Sequence, residues 1–376
     1  MKLVRIALAI AAMTVLARGA ASAMPIFAQA YGLKCSVCHT QVPALNDYGR
    51  YVQRTGYASL DSNVLHSVSP FWIGEQANYD TQSSTAPHQT QFGNLAIHAA
   101  GALNDDFTYH AQQWILQNNQ TGGPLDTFWI TYNNLFHRDG HLFLGKLPTI
   151  GPSPYSQWMD ISGFSVPAIT VGEHPYLIGA NRWGPVFKYV KKSLDFETGY
   201  EGNTNDWQGL GDFSYDTDRT WDWKVAYANP VQPLEVGVFG GRGTFPLAEG
   251  SQDQYYDVTE YVQRDPQNGI PGIFAFNQMT KDANPGFDPL GNPLGPTSSH
   301  GQTVELYEPI GDKAVFSARK EWMNDGLGNV TQDGVIDLNY HIARFLMLYG
   351  EVGMAQNSTP AWRYMIWWTL PTQSVK

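Results

Sequence analysis

Thr127-Phe128-Trp129-Ile130-Thr131-Tyr132-Asn133-Asn134-Leu135-Phe136-His137, then Arg138-Asp139-Gly140, then His141-Leu142-Phe143-Leu144-Gly145-Lys146-Leu147, is the stretch that decides the fold. Phe128, Ile130, Tyr132 and Phe136 alternate with Thr131 and Asn133. A period of two puts apolar side chains on one face of a strand and polar ones on the other. Asp139-Gly140 carries the signal of a tight hairpin, because Asp-Gly supplies positive φ cheaply. Leu142 and Leu144 then share a face, and Asp333-Gly334 repeats the turn signal.

Working outward, no long helical period appears after about Phe71. Amphipathic runs recur at 95–103, 107–116, 186–190, 194–200, 221–228, 235–240, 304–309, 314–322, 335–342, 346–354 and 362–370. Such a series closes either into a sandwich or into a barrel. Many runs approach nine to eleven residues, about the length that crosses a bilayer at a tilt. Aromatic pairs cluster near run ends, as in Phe71-Trp72, Trp221-Asp222-Trp223, Tyr255-Tyr256 and Trp367-Trp368, which suits an interfacial girdle. Stretches 148–154, 203–218 and 282–299 are rich in Gly, Pro, Asn and Asp and read as surface loops or loops folded into a lumen. These features predict an all-β chain, an outer-membrane antiparallel β-barrel of about 14–16 strands. The rival is a soluble secreted β-sandwich, and the ending Thr369-Leu370-Pro371-Thr372-Gln373-Ser374-Val375-Lys376, without a terminal aromatic, fits that rival.

With 15% charged and 13% aromatic residues the chain is unlike a disordered one. Its net charge of −11 and lack of a basic run argue against nucleic acid, whose affinity comes mainly from phosphate neutralisation. Lys2 and Arg5, the apolar run Ile6 to Leu16 and Ala21-Ser22-Ala23 form a secretory leader pattern, so residues 1–23 are expected to be removed on export. An uncleaved N-terminal anchor is the alternative.

The chemistry lies just after this leader. Cys35-Ser36-Val37-Cys38-His39 is the attachment pattern of a c-type haem. Two thiols three residues apart on one helical turn can reach the vinyl groups on one porphyrin edge, and the following imidazole can then bind iron. A periplasmic redox pair would want a βαβ context, and a zinc site would want a second pair of ligands at metal spacing. These are the only two cysteines in the chain. The second axial ligand is open, with His66, His98, His110 and Met159 as candidates. A three-residue turn Asn104-Asp105-Asp106 would set His98 opposite Gln112 and His110 opposite Ala100, making the two histidines diagonal neighbours on the lumenal face.

The segment Met24-Pro25-Ile26-Phe27-Ala28-Gln29, the haem motif, Pro43-Ala44-Leu45-Asn46-Asp47-Tyr48-Gly49-Arg50 and Gly56-Tyr57 resembles the N-terminal module of the fused monohaem cytochrome–porins of bacterial outer membranes. That group includes iron-oxidising electron-transfer proteins. The resemblance implies a helical haem segment at 24–66 plugging a porin-like barrel at 67–376, with about sixteen strands. It implies haem c on Cys35 and Cys38 with His39 as axial ligand, and Pro43, Leu45, Gly49, Gly56 and Tyr57 shaping the turn after it. It also implies an extracellular reductant, Fe(II) first, as donor and a soluble periplasmic cytochrome as acceptor. Acidic residues Asp105, Asp106, Asp212, Asp216 and Asp218 could draw cations inward, or be ordinary solvated loop charges. The rival functions are a passive porin with a structural haem module and a soluble periplasmic haem-binding β-protein.

Overall fold

The computed structural model describes residues 25–371 apart from 43, 67–68, 82–87, 118–119, 124, 149, 152–159, 177, 203–218, 229–232, 289, 344–345 and 357. The leader, Met159 and the loop acids Asp212, Asp216 and Asp218 lie outside the described residues.

Sixteen antiparallel strands form one closed sheet. They are β1 (Phe71–Asp80), β2 (Gln89–Ala102), β3 (Phe107–Gln117), β4 (Leu125–Leu135), β5 (Gly140–Pro148), β6 (Asn181–Lys191), β7 (Leu194–Gly202) and β8 (Arg219–Ala228). The second half is β9 (Leu234–Pro246), β10 (Gln252–Arg264), β11 (Gly272–Asp282), β12 (Thr297–Ile310), β13 (Ala314–Asn324), β14 (Val330–Ala343), β15 (Leu346–Ala355) and β16 (Ala361–Pro371). Each strand pairs with its sequence neighbour, and β16 closes on β1 from Arg363↔Asp80 to Pro371↔Trp72. Closure leaves no unpaired edge, which is what allows a sheet to sit in hydrocarbon.

The alternation is inverted relative to a soluble protein. Ile130, Leu144, Val225, Leu306, Ile336 and Leu338 are exposed, whereas Thr131, Glu197, Lys224, Thr259, Glu305 and Asp337 are buried. Apolar side chains outside and polar ones inside suit lipid around a barrel, and the sandwich reading fails on this point. In the adjacent pairs Phe71-Trp72 and Tyr255-Tyr256 the period of two splits the rings, Phe71 and Tyr256 facing out and Trp72 and Tyr255 facing in, whereas Trp221 and Trp223 share the outer face. The girdle therefore holds fewer rings than a count of pairs suggests.

The expected register of β2 and β3 holds, with His98↔Gln112 and Ala100↔His110. The two Asp-Gly turns behave differently. The β4–β5 connection is a tight turn, but its left-handed residues are Phe136, His137 and Arg138, and Phe136 belongs to the turn rather than the strand. Asp333 and Gly334 lie inside β14, paired with Glu321 and Lys320; the turn falls at 325–329, around Gly326 and Gly328 at positive φ. Strands β1, β10 and β11 were not legible as alternating runs. In β11 Phe274 and Phe276 face inward while Ile273 and Met279 sit on the other face, so neither face is polar enough to mark the period.

One rim has short connections, such as 103–106, 192–193 and 311–313. The other has longer ones, such as 149–180 and 283–296. Asp105 and Asp106 stand on the short-turn rim, where Asp105 accepts a hydrogen bond from Ser62 and Asp106 pairs with Arg138.

Candidate functional site

The N-terminal segment lies inside the barrel at the short-turn end. It contains α1 (Pro25–Tyr31), a 3-10 turn at Cys35–Val37, a small hairpin from His39 to Leu45, α2 (Asp47–Arg54) and α3 (Ser62–Leu65). Asn46 starts α2. Its side chain accepts from Gly49 N–H at 2.9 Å, satisfying one of the free donors of the first turn. Asp47 in the first turn and Arg54 in the last complement the helix dipole. The Asn46 amide also donates to the carbonyls of Ser36 and Val37, both at 3.1 Å, and Asn46 N–H donates to Cys38 O at 3.0 Å. One asparagine thus caps the helix and clamps the haem-motif turn onto it. Gly49 lets the two approach: a Cβ there would lie 2.0 Å from Cys38 O. At the far end of α2, Gly56 and Tyr57 both take positive φ. A Cβ on Gly56 would meet Thr131 and Phe143 of the wall at about 3 Å.

Arg50 and Arg54 are four apart and so share a helix face. Arg50 reaches Asp265 through two parallel bonds of 3.0 and 3.1 Å, Glu235 at 3.1 Å and the carbonyl of Leu45 at 2.9 Å. Arg54 reaches Glu235 at 3.0 Å and Asp195 at 3.5 Å. The wall adds Lys224, at 2.7 Å from Asp195 and 3.0 Å from Glu197, and Lys188 at 2.7 Å from Glu197. Four carboxylates are thereby matched by four cations, two of which belong to the plug. Burial works against both guanidinium charges, but Asp265 and Glu235 on Arg50, and Glu235 and Asp195 on Arg54, more than offset it. Neither arginine was assigned a role from sequence. The signal available was a basic i, i+4 pair in an otherwise acidic chain.

Cys35 and Cys38 are half-buried thiols, not a disulfide, on one turn with Cys38 N–H bonded to Cys35 O at 3.0 Å. Burial pushes the Cys38 thiol up to about 11. The turn sits between a helix and a short hairpin and not in a βαβ unit, which disfavours the thioredoxin-like alternative. Two thiols on one turn, half accessible and followed by His39, are the donor set that covalent haem attachment uses, so the residues fit the group.

Three of the four candidates for the second axial position, His66, His98 and His110, lie among the described residues. His66 is exposed at the end of α3 and bonds the carbonyl of Ala102 through Nε2 at 2.8 Å. His98 stacks on Trp72 with centroids 4.8 Å apart, and His110 stacks on Trp129 at 5.6 Å. Trp72 also lies 6.4 Å from His110, so the two histidines share one aromatic cluster on the lumenal face. The plug enters this cluster through Tyr57, whose hydroxyl is 3.0 Å from His110 Nδ1 and whose ring is 4.8 Å from Phe27.

A second segment fills the lumen. The described part of the β5–β6 connection, from Asp160 onward, is drawn inward by the wall. Ile161 and Ser162 N–H donate to Glu351, and Ser165 and Val166 N–H donate to Glu321. Asp160 pairs with Arg319. Val166, Ile169, Val171, Tyr176 and Ile178 pack on Phe239, Tyr261, Phe274, Phe276 and Tyr307 of the wall, in a cluster that also holds Ala44 of the plug. Plug and inward connection thus share one apolar core inside the barrel.

No family model matches the chain, and no curated protein matches it either. Among solved structures it is similar to the anion-selective porin of Comamonas acidovorans, at 13% identity and a TM-score of 0.57, over 80% of this chain and 97% of that one. It is also similar to OmpF of Salmonella typhi, solved with daunomycin, at 10% identity and a TM-score of 0.57, again over 80% and 97%. A loop L8 deletion mutant of OmpT of Vibrio cholerae gives 13% identity and a TM-score of 0.55 over 80% and 98%. The chain therefore has the sixteen-stranded fold of the outer-membrane porins, and with its apolar outer face it is an outer-membrane protein.

Proposed function

We propose that this protein carries one covalent haem c on its plug and moves electrons between an extracellular reductant, Fe(II) first, and a soluble periplasmic cytochrome. The observation that carries the reading is the placement of Cys35-Ser36-Val37-Cys38-His39: a turn clamped to α2 by Asn46, with α2 pinned by Arg50 and Arg54 inside the barrel. Barrels of this type generally turn their short connections to the periplasm, which would put the plug where a soluble carrier can approach. Cys35 and Cys38 would hold the group and His39 would take one axial position. The group would supply one-electron chemistry when bound. Wall, plug and inward connection together make an acidic interior: among the described residues fourteen buried Asp and Glu stand against six buried Lys and Arg. Such a field favours cations over anions.

The second reading is a channel for passive diffusion, and the fold likeness to porins favours it. Against it, the plug and the inward connection both occupy the lumen.

One experiment separates them. Outer membranes containing the protein are isolated, the haem spectrum is recorded and Fe(II) is added. Rapid haem reduction, abolished in Cys35→Ser/Cys38→Ser, is the expected result. Solute conductance in planar bilayers with no thioether-bound haem in the fraction would establish the passive channel instead.

A further inference from the structure

We propose that His174, Asp253 and Asp282 form a binding site for a divalent first-row metal ion, where the inward connection meets the long-loop end of the wall. The site is separate from the plug. That the resident ion is the Fe(II) donor rests on the electron-transfer reading above; the site itself does not.

The three donors come from three parts of the chain: the inward connection, the start of β10 and the end of β11. All three residues are buried, and one ligand atom from each lies within 4.8 Å of the others. His174 Nδ1 is 3.1 Å from Asp253 Oδ2 and 2.8 Å from Asp282 Oδ1. Adjacent donors around a six-coordinate ion with bonds of about 2.1 Å are about 3.0 Å apart, which is the spacing seen. A set of one imidazole and two carboxylates suits Fe(II), Mn(II) and Zn(II).

Proton counting points the same way. Nδ1 of an imidazole carries at most one hydrogen, so the ring offers one proton to two carboxylates. Asp282 Oδ2 is buried and accepts no hydrogen bond. With a charged imidazolium the triad carries one net negative charge out of water unless the two carboxylates share a second proton, whereas a divalent ion with neutral imidazole leaves it neutral without one. Burying unbalanced charge is costly.

The surroundings hold the ligands as an outer shell does. Tyr176 donates its hydroxyl to Asp282 Oδ1 at 2.9 Å, and Asn284 N–H donates to Asp253 Oδ1 at 2.8 Å, which leaves Asp253 Oδ2 facing the site. The His174 ring is fixed between Tyr176 and Phe245, at 4.2 and 4.5 Å. The next residue, Glu173, binds the backbone of both neighbouring loops, through Ala248 N–H at 3.1 Å and Phe287 N–H at 3.3 Å. An ion here would tie the inward connection to two strands and steady two loops.

The test uses full-length protein extracted from outer membranes in detergent, stripped with EDTA and titrated with Mn(II) followed by electron paramagnetic resonance. One saturable Mn(II) per chain is expected, with affinity falling at least tenfold in Asp253→Asn and in Asp282→Asn. Mn(II) should also slow proteolysis within residues 149–180 of the wild type, reversibly with EDTA. Absence of saturable Mn(II) in the wild type overturns the site, as does equal affinity in variants that still form heat-modifiable barrels. The Cys35→Ser/Cys38→Ser protein should bind Mn(II) unchanged, and Asp253→Asn should keep its haem stain, so the two proposals fail separately.

Discussion

Arg50→Leu should release the plug without opening the barrel. In the native protein Arg50 meets Asp265 through two parallel bonds and adds a third contact to Glu235. Removing one partner of a buried ion pair costs about 3–5 kcal/mol, because the other charge stays buried. The lower end applies here. Glu235 keeps Arg54, Lys224 and the Tyr261 hydroxyl, and Asp265 keeps the Asp47 N–H and the Tyr307 hydroxyl. About 3 kcal/mol corresponds to a roughly 150-fold rise in the undocked population. A broad-specificity protease reads that population when redocking is faster than cleavage. Cleavage within residues 25–66 should therefore speed up about 100-fold in Arg50→Leu, while the barrel keeps its heat-modifiable migration. Arg50→Lys should fall between, since it retains charge but not the planar fork. If Arg50→Leu is cleaved within threefold of the wild-type rate, the ion pairs do not hold the plug and the electrostatic account is wrong.

Three other outcomes follow from the same contacts. Gly49→Ala places a methyl against Cys38 O, an overpacking of about 1–3 kcal/mol or more, so covalent haem yield should drop roughly tenfold with normal barrel formation, read by haem stain against total protein. Arg319→Met strands Asp160 and Glu321 and should loosen residues 160–166, raising both their protease sensitivity and single-channel conductance in bilayers. Asp160 is held up at about 6, by burial first and by Glu351, against the pull of Arg319. Its carboxyl pKa is above the unfolded value, so its contribution to docking is full below about 4 and is lost as pH rises through about 6. Protection of the inward connection should decline over that range, and Asp160→Asn should flatten the decline.

The barrel was legible because its strands obey one rule along most of their length. Thr127–Leu135 and the first half of β3, from Phe107 to Gln112, alternate cleanly, so even the facing of His98 against Gln112 followed from a turn length. Legibility failed where both faces carry similar side chains, as in β11, and where a turn signal sat in an extended strand, as with Asp333-Gly334. Local chemistry tolerates Asp-Gly in a strand when its neighbours on both sides pair, as Glu321 and Ala355 do with Asp333. The site was legible only as a motif. Cys35, Cys38 and His39 announce themselves by spacing, and their clamp, Asn46, bonds within ten residues of itself, but their anchors, Arg50 and Arg54, act through partners far away in sequence. The sequence offered 148–154 as a loop on the surface or in the lumen but not the rest of the inward connection, because the carboxylates that draw it in, Glu321 and Glu351, lie 155 to 190 residues further on.

The same separation has a consequence for biogenesis. Arg54 and Arg50 are 181 and 215 residues upstream of the carboxylates Glu235 and Asp265 that receive them. The amino-terminal end leaves the export machinery first, yet its seat exists only after β10 has been delivered. Long-range contacts of this kind form late in folding. Between those two moments the thiols at 35 and 38 stand outside any cavity, so under the proposed haem attachment that interval offers the attaching enzyme its freest access.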